Sequence, residues 1–250
     1  MLLALLIAAG AGSPPADRDF QFLQDYTQTK RWSLGRPVKV QPTPDGTAVL
    51  FLRSPPRTQE PRLFRFEVAT GETKELITPD QVLAGKAEEL SAEERARRER
   101  MRITGRGFTG FDLSRDGKLV LVTLSGRAFV LPVAGGAAKE VASPGPKGEP
   151  VFDPKLSPDG SKVSFVRSGE LWVAKIDGGA RQITRGATAL VTHAQAEFVA
   201  QEELRRFTGY WWSPDSKWLV YEEADNRGVE KLWFGDPARP EIAVEPTPYP

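Results

Sequence analysis

The sequence predicts an all-β fold: a partial β-propeller of about four blades of antiparallel strands, carrying two short helical insertions. Three observations predict it. A turn of the form Thr/Ser-x-Asp-Gly/Ser recurs four times, each copy running into an apolar stretch. In the first three copies a second strand, a glycine turn and a third strand follow in the same order. Glycine and proline are abundant, 23 and 21 of 250 residues, which favours a fold with many turns. A β-sandwich uses similar turns but does not repeat one turn-and-hairpin order, so the recurrence selects the propeller.

The first copy is Thr43-Pro44-Asp45-Gly46 before Ala48 to Leu52, then Arg62 to Phe66, Thr70-Gly71 and Thr73 to Leu76. The second is Ser114-Arg115-Asp116-Gly117 before Leu119 to Val122, then Arg127 to Leu131, Gly135-Gly136 and Lys139 to Val141. The third is Ser157-Pro158-Asp159-Gly160 before Val163 to Val166, then Glu170 to Ala174, Gly178-Gly179 and Arg181 to Thr184. The fourth, Ser213-Pro214-Asp215-Ser216, precedes Trp218 to Tyr221. Each reads as a type I turn entering residues of high strand preference. The turn aspartates are 71, 43 and 56 residues apart. A blade takes about 40–45 residues, so the first and third intervals each hold an insertion.

Ahead of the repeats, Leu2 to Ala9 is an unbroken apolar run that ends in the small-x-small triplet Ala9-Gly10-Ala11 and is followed by a Pro-rich spacer. It falls short of the roughly 20 residues a membrane-crossing helix needs. It fits a secretory signal peptide over residues 1–12, although no Lys or Arg precedes the apolar run. Export to the periplasm or the extracellular space is the expectation. Asp17 to Trp32 fits a short helix, and residues 20–250 form the propeller portion.

Composition narrows the chemistry. Lys and Arg total 34 against 33 Asp and Glu, a balance that argues against a dedicated nucleic-acid binder or polybasic membrane binder. There is no cysteine and one histidine, His193. Cysteine nucleophiles, disulfides and His/Cys zinc sites are therefore excluded, and no metal or cofactor is expected. A Ser-His-Asp triad would have to use that one histidine. No G-x-S-x-G occurs.

The first insertion spans residues 78–106. Ser91-Ala92-Glu93-Glu94 reads as a capping box opening a charged helix from Glu93 to Arg102. Pairs such as Glu93–Arg97 and Glu94–Arg98 stand at i,i+4, the pattern of a solvated, salt-bridged helix. Gly105-Arg106-Gly107-Phe108-Thr109-Gly110 fits G-x-G-x-x-G, but it follows a helix and enters a strand. That reverses the dinucleotide-binding context. The second insertion, residues 194–207, reads as a helix with Phe198, Leu204 and Phe207 partly buried. It carries Glu202 and Glu203, which point about 100° apart on a regular helix. They face one cation only if it sits astride them or the helix ends there.

Phe198-Val199-Ala200-Gln201-Glu202-Glu203, followed by Thr208-Gly209-Tyr210-Trp211-Trp212-Ser213-Pro214, resembles the double-glutamate segment of the dipeptidyl peptidase IV family of serine exopeptidases. Leu90 to Ile103 resembles the arginine-bearing helix of the same enzymes, and the repeats resemble their N-terminal propeller. The resemblance implies release of N-terminal dipeptides, usually after Pro or Ala. It implies that Glu202 and Glu203 bind the substrate's α-ammonium and that Arg102 binds its backbone carbonyl, with Arg106 as the rival for that role. Two carboxylates suit the three N–H donors of an ammonium, and charge-assisted bonds of this kind contribute roughly 1.5–3 kcal/mol each. A guanidinium fork suits a carbonyl.

The catalytic serine of the family sits on an α/β-hydrolase domain, with its histidine later in the chain. Nothing in these 250 residues matches that domain, so the chain reads as an N-terminal portion with no catalytic residue of its own, inactive by itself. The expected partners are peptide N-termini and a C-terminal hydrolase domain, with a homodimer as a further assembly. His193 reads as structural or as a rim residue. The alternative is a non-enzymatic propeller scaffold or binding protein of the cell envelope, which would have no reason to carry Glu202, Glu203 and Arg102. A pseudoenzyme is a third option.

Overall fold

The recurring turn has a physical basis that the computed structural model shows four times. Thr43 Oγ1 donates to Asp45 Oδ1 at 2.6 Å, and the same oxygen accepts the Thr47 N–H at 3.0 Å. The Ala48 N–H donates back to Thr43 Oγ1 at 3.0 Å. Ser114 with Asp116, Ser157 with Asp159 and Ser213 with Asp215 repeat the arrangement at 2.7, 2.6 and 2.6 Å. Hydroxyl and carboxylate together satisfy the amides that the turn would leave without partners. The fourth turn residue is left-handed in every copy: Gly46, Gly117, Gly160 and Ser216, with φ between 60° and 73°.

The described residues are 17–90, 94, 95, 98, 99, 103, 105–244 and 246–249. Each of the first three turns connects the first and second strands, in chain order, of a four-stranded antiparallel sheet. The first sheet comprises β1 (Val38–Pro42), β2 (Ala48–Arg53), β3 (Arg62–Glu67) and β4 (Thr73–Ile77). The second comprises β5 (Phe111–Leu113), β6 (Leu119–Leu124), β7 (Arg127–Pro132) and β8 (Lys139–Ala142). The third comprises β9 (Phe152–Leu156), β10 (Lys162–Arg167), β11 (Glu170–Lys175) and β12 (Ala180–Gln182). Strands follow chain order within every sheet, as in a propeller blade.

The central strands read as near-continuous apolar runs because both of their faces are covered. Val120 and Val122 of β6 pack with Leu50, Leu52 and Leu63 of the first sheet. Leu121, between them, faces the other way and packs with Val163 and Phe165 of the third. Alternate residues of one strand thus build two separate cores.

The fourth repeat forms three two-stranded ladders. β14 (Tyr210–Trp212) pairs with β15 (Leu219–Tyr221), and β13 (Val191–His193) with β16 (Glu223–Asp225). β17 (Lys231–Trp233) pairs with β18 (Pro246–Pro248). Tyr210 and Ala194 pack against Val166 and Leu171, which joins this region to the third sheet.

The helices are shorter than the sequence predicts. The first, α1 (Asp17–Gln28), ends before Trp32, because Lys30, Arg31 and Trp32 turn left-handed. At the start of the first insertion a capping box forms that is not among the expectations from the sequence. Thr78 Oγ1 accepts the Gln81 N–H and Gln81 Oε1 accepts the Thr78 N–H, opening α2 (Pro79–Leu83). Ser91, Glu93 and Arg102 lie outside the described residues, as does the signal-like segment 1–12. No helix among the described residues is long and apolar enough to cross a membrane.

Candidate functional site

The second insertion is helical only over α3 (Phe198–Glu202), five residues rather than the expected fourteen-residue segment 194–207. Glu197 caps it: its carboxylate accepts the Val199 and Ala200 N–H groups, both at 2.6 Å. A carboxylate at this position satisfies orphan amides. Gln201 is buried, and its Nε2 donates to the Ala196 carbonyl at 2.7 Å, folding the entry of the helix onto itself. Glu202 is the last helical residue and Glu203 the C-cap, with φ −96° and ψ −38°. Both side chains are exposed. Leu204, expected to be partly buried, is 68% exposed because the chain has already left the helix.

The segment is tied down at both ends by the strand region 219–225. The Ala194 N–H donates to the Glu222 carbonyl at 2.8 Å, and the Glu222 N–H donates to the Gly209 carbonyl at 2.9 Å. Glu222 Oε1 accepts the Glu197 N–H at 3.2 Å, and Glu222 Oε2 accepts Arg206 Nη1 at 2.5 Å. Arg206 Nη1 also donates to the Thr208 carbonyl at 2.7 Å. Gly209 runs so close to residues 194–195 that a Cβ there would meet the Ala194 and Gln195 carbonyl carbons at 2.7 Å.

His193 precedes this segment and is 5% exposed. Its Nδ1 lies 2.9 Å from Glu170 Oε2 and its Nε2 lies 3.1 Å from Glu223 Oε2. Burial pushes the Glu170 carboxyl up, but hydrogen bonds from Thr184, the Ala187 amide and His193 outweigh it and hold it below its ordinary value. His193 therefore joins the third sheet, through Glu170 of β11, to Glu223 of β16.

In the first insertion the Glu94–Arg98 pair forms at 3.0 Å, but it is not a solvated one. Arg98 is 4% exposed. Its Nη2 lies 2.6 Å from Glu88 Oε1, its Nη1 donates to the Gly105 carbonyl at 3.1 Å, and Glu88 Oε2 accepts the Gly107 N–H at 2.7 Å. The signal for that role is the glutamate ten residues upstream, which helix periodicity does not reveal. Arg106 is exposed beside a cleft of about 380 Å³ against the first sheet, and its N–H donates to the Gln59 carbonyl at 2.9 Å. Among the described residues no hydrogen bond or ion pair joins Arg106 to α3. Arg102, the residue expected at the substrate carbonyl, lies outside them.

Sequence reasoning also missed a polar cluster on the inner strands. Lys155 Nζ reaches Asp153 Oδ2 at 2.9 Å and the Tyr210 carbonyl at 3.0 Å, contacts Thr208 Oγ1, and stands 3.6 Å above the Tyr210 ring. Burial lowers the Lys155 ammonium below its ordinary value, against the pull of Asp153, and raises the Asp112 carboxyl. The cluster ties β9 to β14, the strand that follows the double-glutamate segment. No group of three or more His, Cys, Asp or Glu is placed to hold a metal among the described residues.

The family model for the dipeptidyl peptidase IV (DPP IV) N-terminal region matches residues 114–250. The chain belongs to this family. The match includes α3, Glu202, Glu203, Arg206, Glu222 and His193, and begins downstream of the first insertion. Human dipeptidyl peptidase 8 is 28% identical over 181 residues, covering 59% of this chain and 19% of that protein. Mouse dipeptidyl peptidase 8 matches to the same extent. The chain thus spans about a fifth of the length of the curated relatives it matches. The crystal structure of Porphyromonas gingivalis dipeptidyl peptidase 4 superposes with a TM-score of 0.58 at 18% identity. It covers 95% of this chain and 31% of that one, a likeness of fold.

Proposed function

We propose that this chain is the substrate-recognition propeller portion of a dipeptidyl-peptidase-type serine exopeptidase, with the propeller over residues 20–250 and an exported location. Glu202 and Glu203 bind the α-ammonium of a peptide N-terminus, and Arg102 binds the carbonyl of the dipeptide to be released. Acyl transfer, which needs a serine on a nucleophile elbow, is supplied by a hydrolase domain outside these residues. The chain by itself is then a binding module without peptidase activity.

One observation carries the reading. Two adjacent, exposed carboxylates stand at the end of a helix whose other end is capped and whose flanks are pinned, inside the region matched by the family. Charges held on a fixed backbone lose little freedom on binding, so an ammonium meets a preorganised pair. The clamp also measures length, since a residue added before the substrate's N-terminus displaces the ammonium from it.

The test is the affinity of the 250-residue chain for Ala-Pro-Ala with a free amine and for its N-acetyl counterpart, read by titration calorimetry. The free-amine peptide is expected to bind at least about a hundredfold more tightly. Glu202→Gln and Glu203→Gln are each expected to cost about 1.5–3 kcal/mol of that preference. Equal affinities for the two peptides, or full retention of the preference by both variants, overturn the assignment and favour a scaffold.

A further inference from the structure

The two glutamates lie at the end of a helix of five residues, and so short a helix has little stability of its own. Something outside it must hold its position. The structure shows one residue acting on both flanks. Glu222 stands on the strand region behind the segment, and its two carboxylate oxygens divide between the segment's two sides. Oε1 takes the N–H of Glu197, the residue that caps α3. Oε2 takes Nη1 of Arg206, three positions after Glu203. Arg206 in turn holds the Thr208 carbonyl, so the exit of the segment is tied to Glu222, which links β15 and β16. The Arg206 and Glu222 side chains are only about a third and a quarter exposed, at 32% and 23%. The pair is therefore less screened than an open surface bridge.

We propose that Arg206 and Glu222 are a positioning pair that closes the double-glutamate segment at both flanks and sets where Glu202 and Glu203 present their charges. This rests on the reading that those glutamates bind a peptide α-ammonium. Neither Arg206 nor Glu222 touches the peptide in this role. Arg206 also neutralises one carboxylate in a stretch that holds Glu197, Glu202, Glu203 and Glu222, so the clamp pair need not compete with Glu222 for its cation.

The pair predicts a local effect. Glu222→Gln and Arg206→Met are each expected to weaken free-amine Ala-Pro-Ala about tenfold while leaving N-acetyl-Ala-Pro-Ala unchanged. Arg206→Lys retains the charge and is expected to recover most of the loss. Amide hydrogen exchange gives a reading that needs no peptide. The Gln201, Glu203 and Arg206 amides, which donate to Glu197, Val199 and Ala200 carbonyls, are expected to exchange at least tenfold faster in both variants. The amides of β10 and β11 are expected to hold their rates. Unchanged protection of those three amides overturns the pair as a positioning device, whatever the peptide does. Loss of peptide preference in Glu202→Gln or Glu203→Gln with full retention in Glu222→Gln and Arg206→Met also overturns it, and leaves the ammonium clamp standing. Faster exchange in the pair variants, with no effect of Glu202→Gln and Glu203→Gln on peptide affinity, supports the pair as an anchor of α3. The same result overturns the clamp and the part of this inference that depends on it.

Discussion

Ser216 Oγ accepts the backbone N–H of Asp159 at 2.9 Å, so the fourth aspartate turn is bound directly to the third. The first and second turns also meet: a Cβ on Gly117 would stand 2.7 Å from Pro44 Cδ. Successive turns therefore stack, and this contact explains why serine occupies a left-handed position held by glycine in the other three copies. Ser216→Ala keeps the unfavourable backbone and removes the acceptor. We expect it to destabilise the chain by about 1–3 kcal/mol, because the Asp159 amide loses its partner. Denaturant unfolding measures this, and a variant within error of the parent would contradict it.

The turn aspartates make stability depend on acid. The Ser157 hydroxyl, opposed by slight burial and helped by the Ser161 amide and hydroxyl, holds the Asp159 carboxyl down at about 2, below its ordinary 3.8. Asp45, Asp116 and Asp215 are lowered as well, in each case chiefly by the hydroxyl two residues before. A carboxyl lowered on folding adds stability that is complete above its unfolded value and is lost as pH falls through the folded one. For Asp159 the loss falls between about pH 4 and pH 2. Ser157→Ala removes the largest single cause of that contribution beforehand. The Tm gap between parent and variant should therefore be wide at pH 6 and narrower at pH 2.5. A gap that stays constant across the range would speak against the turn as its source.

Gly209 has an ordinary backbone conformation, so its requirement for glycine is one of space. Gly209→Ala places a methyl group against the Ala194 and Gln195 backbone, atoms that no rotamer change can move. We expect a loss of about 1–3 kcal/mol, the usual cost of overpacking. The segment that moves carries α3, so the free-amine peptide should also bind more weakly. Thermal melting and the same calorimetric titration check the two effects. Normal melting with normal affinity would mean that the segment yields without cost.

What the sequence by itself determined is whatever rests on neighbours along the chain. Turn chemistry between residues two to five apart, such as Ser157 with Asp159 and Lys162, is local, and all four turns were legible. So were the three strands that follow each of the first three turns, the central two of each sheet being apolar runs, whereas β1, β5 and β9 before the turns carry no such run. The double glutamate and the family were legible for the same reason, as one continuous run of residues. The tertiary structure decided what depends on distant partners. Nothing near α3 in sequence says that its capping residue Glu197 bonds to Glu222, twenty-five residues further on. Nothing in the i,i+4 pattern of the first insertion says that Arg98 is buried, because burial comes from Glu88 and the Gly105 and Gly107 backbone folding over it. His193 reads from the sequence as structural or as a rim residue, and only the fold brings Glu170 and Glu223 to its two ring nitrogens from different strands. Local hydrogen bonds write themselves into short motifs, whereas burial and long-range ion pairs exist only once the sheets have met.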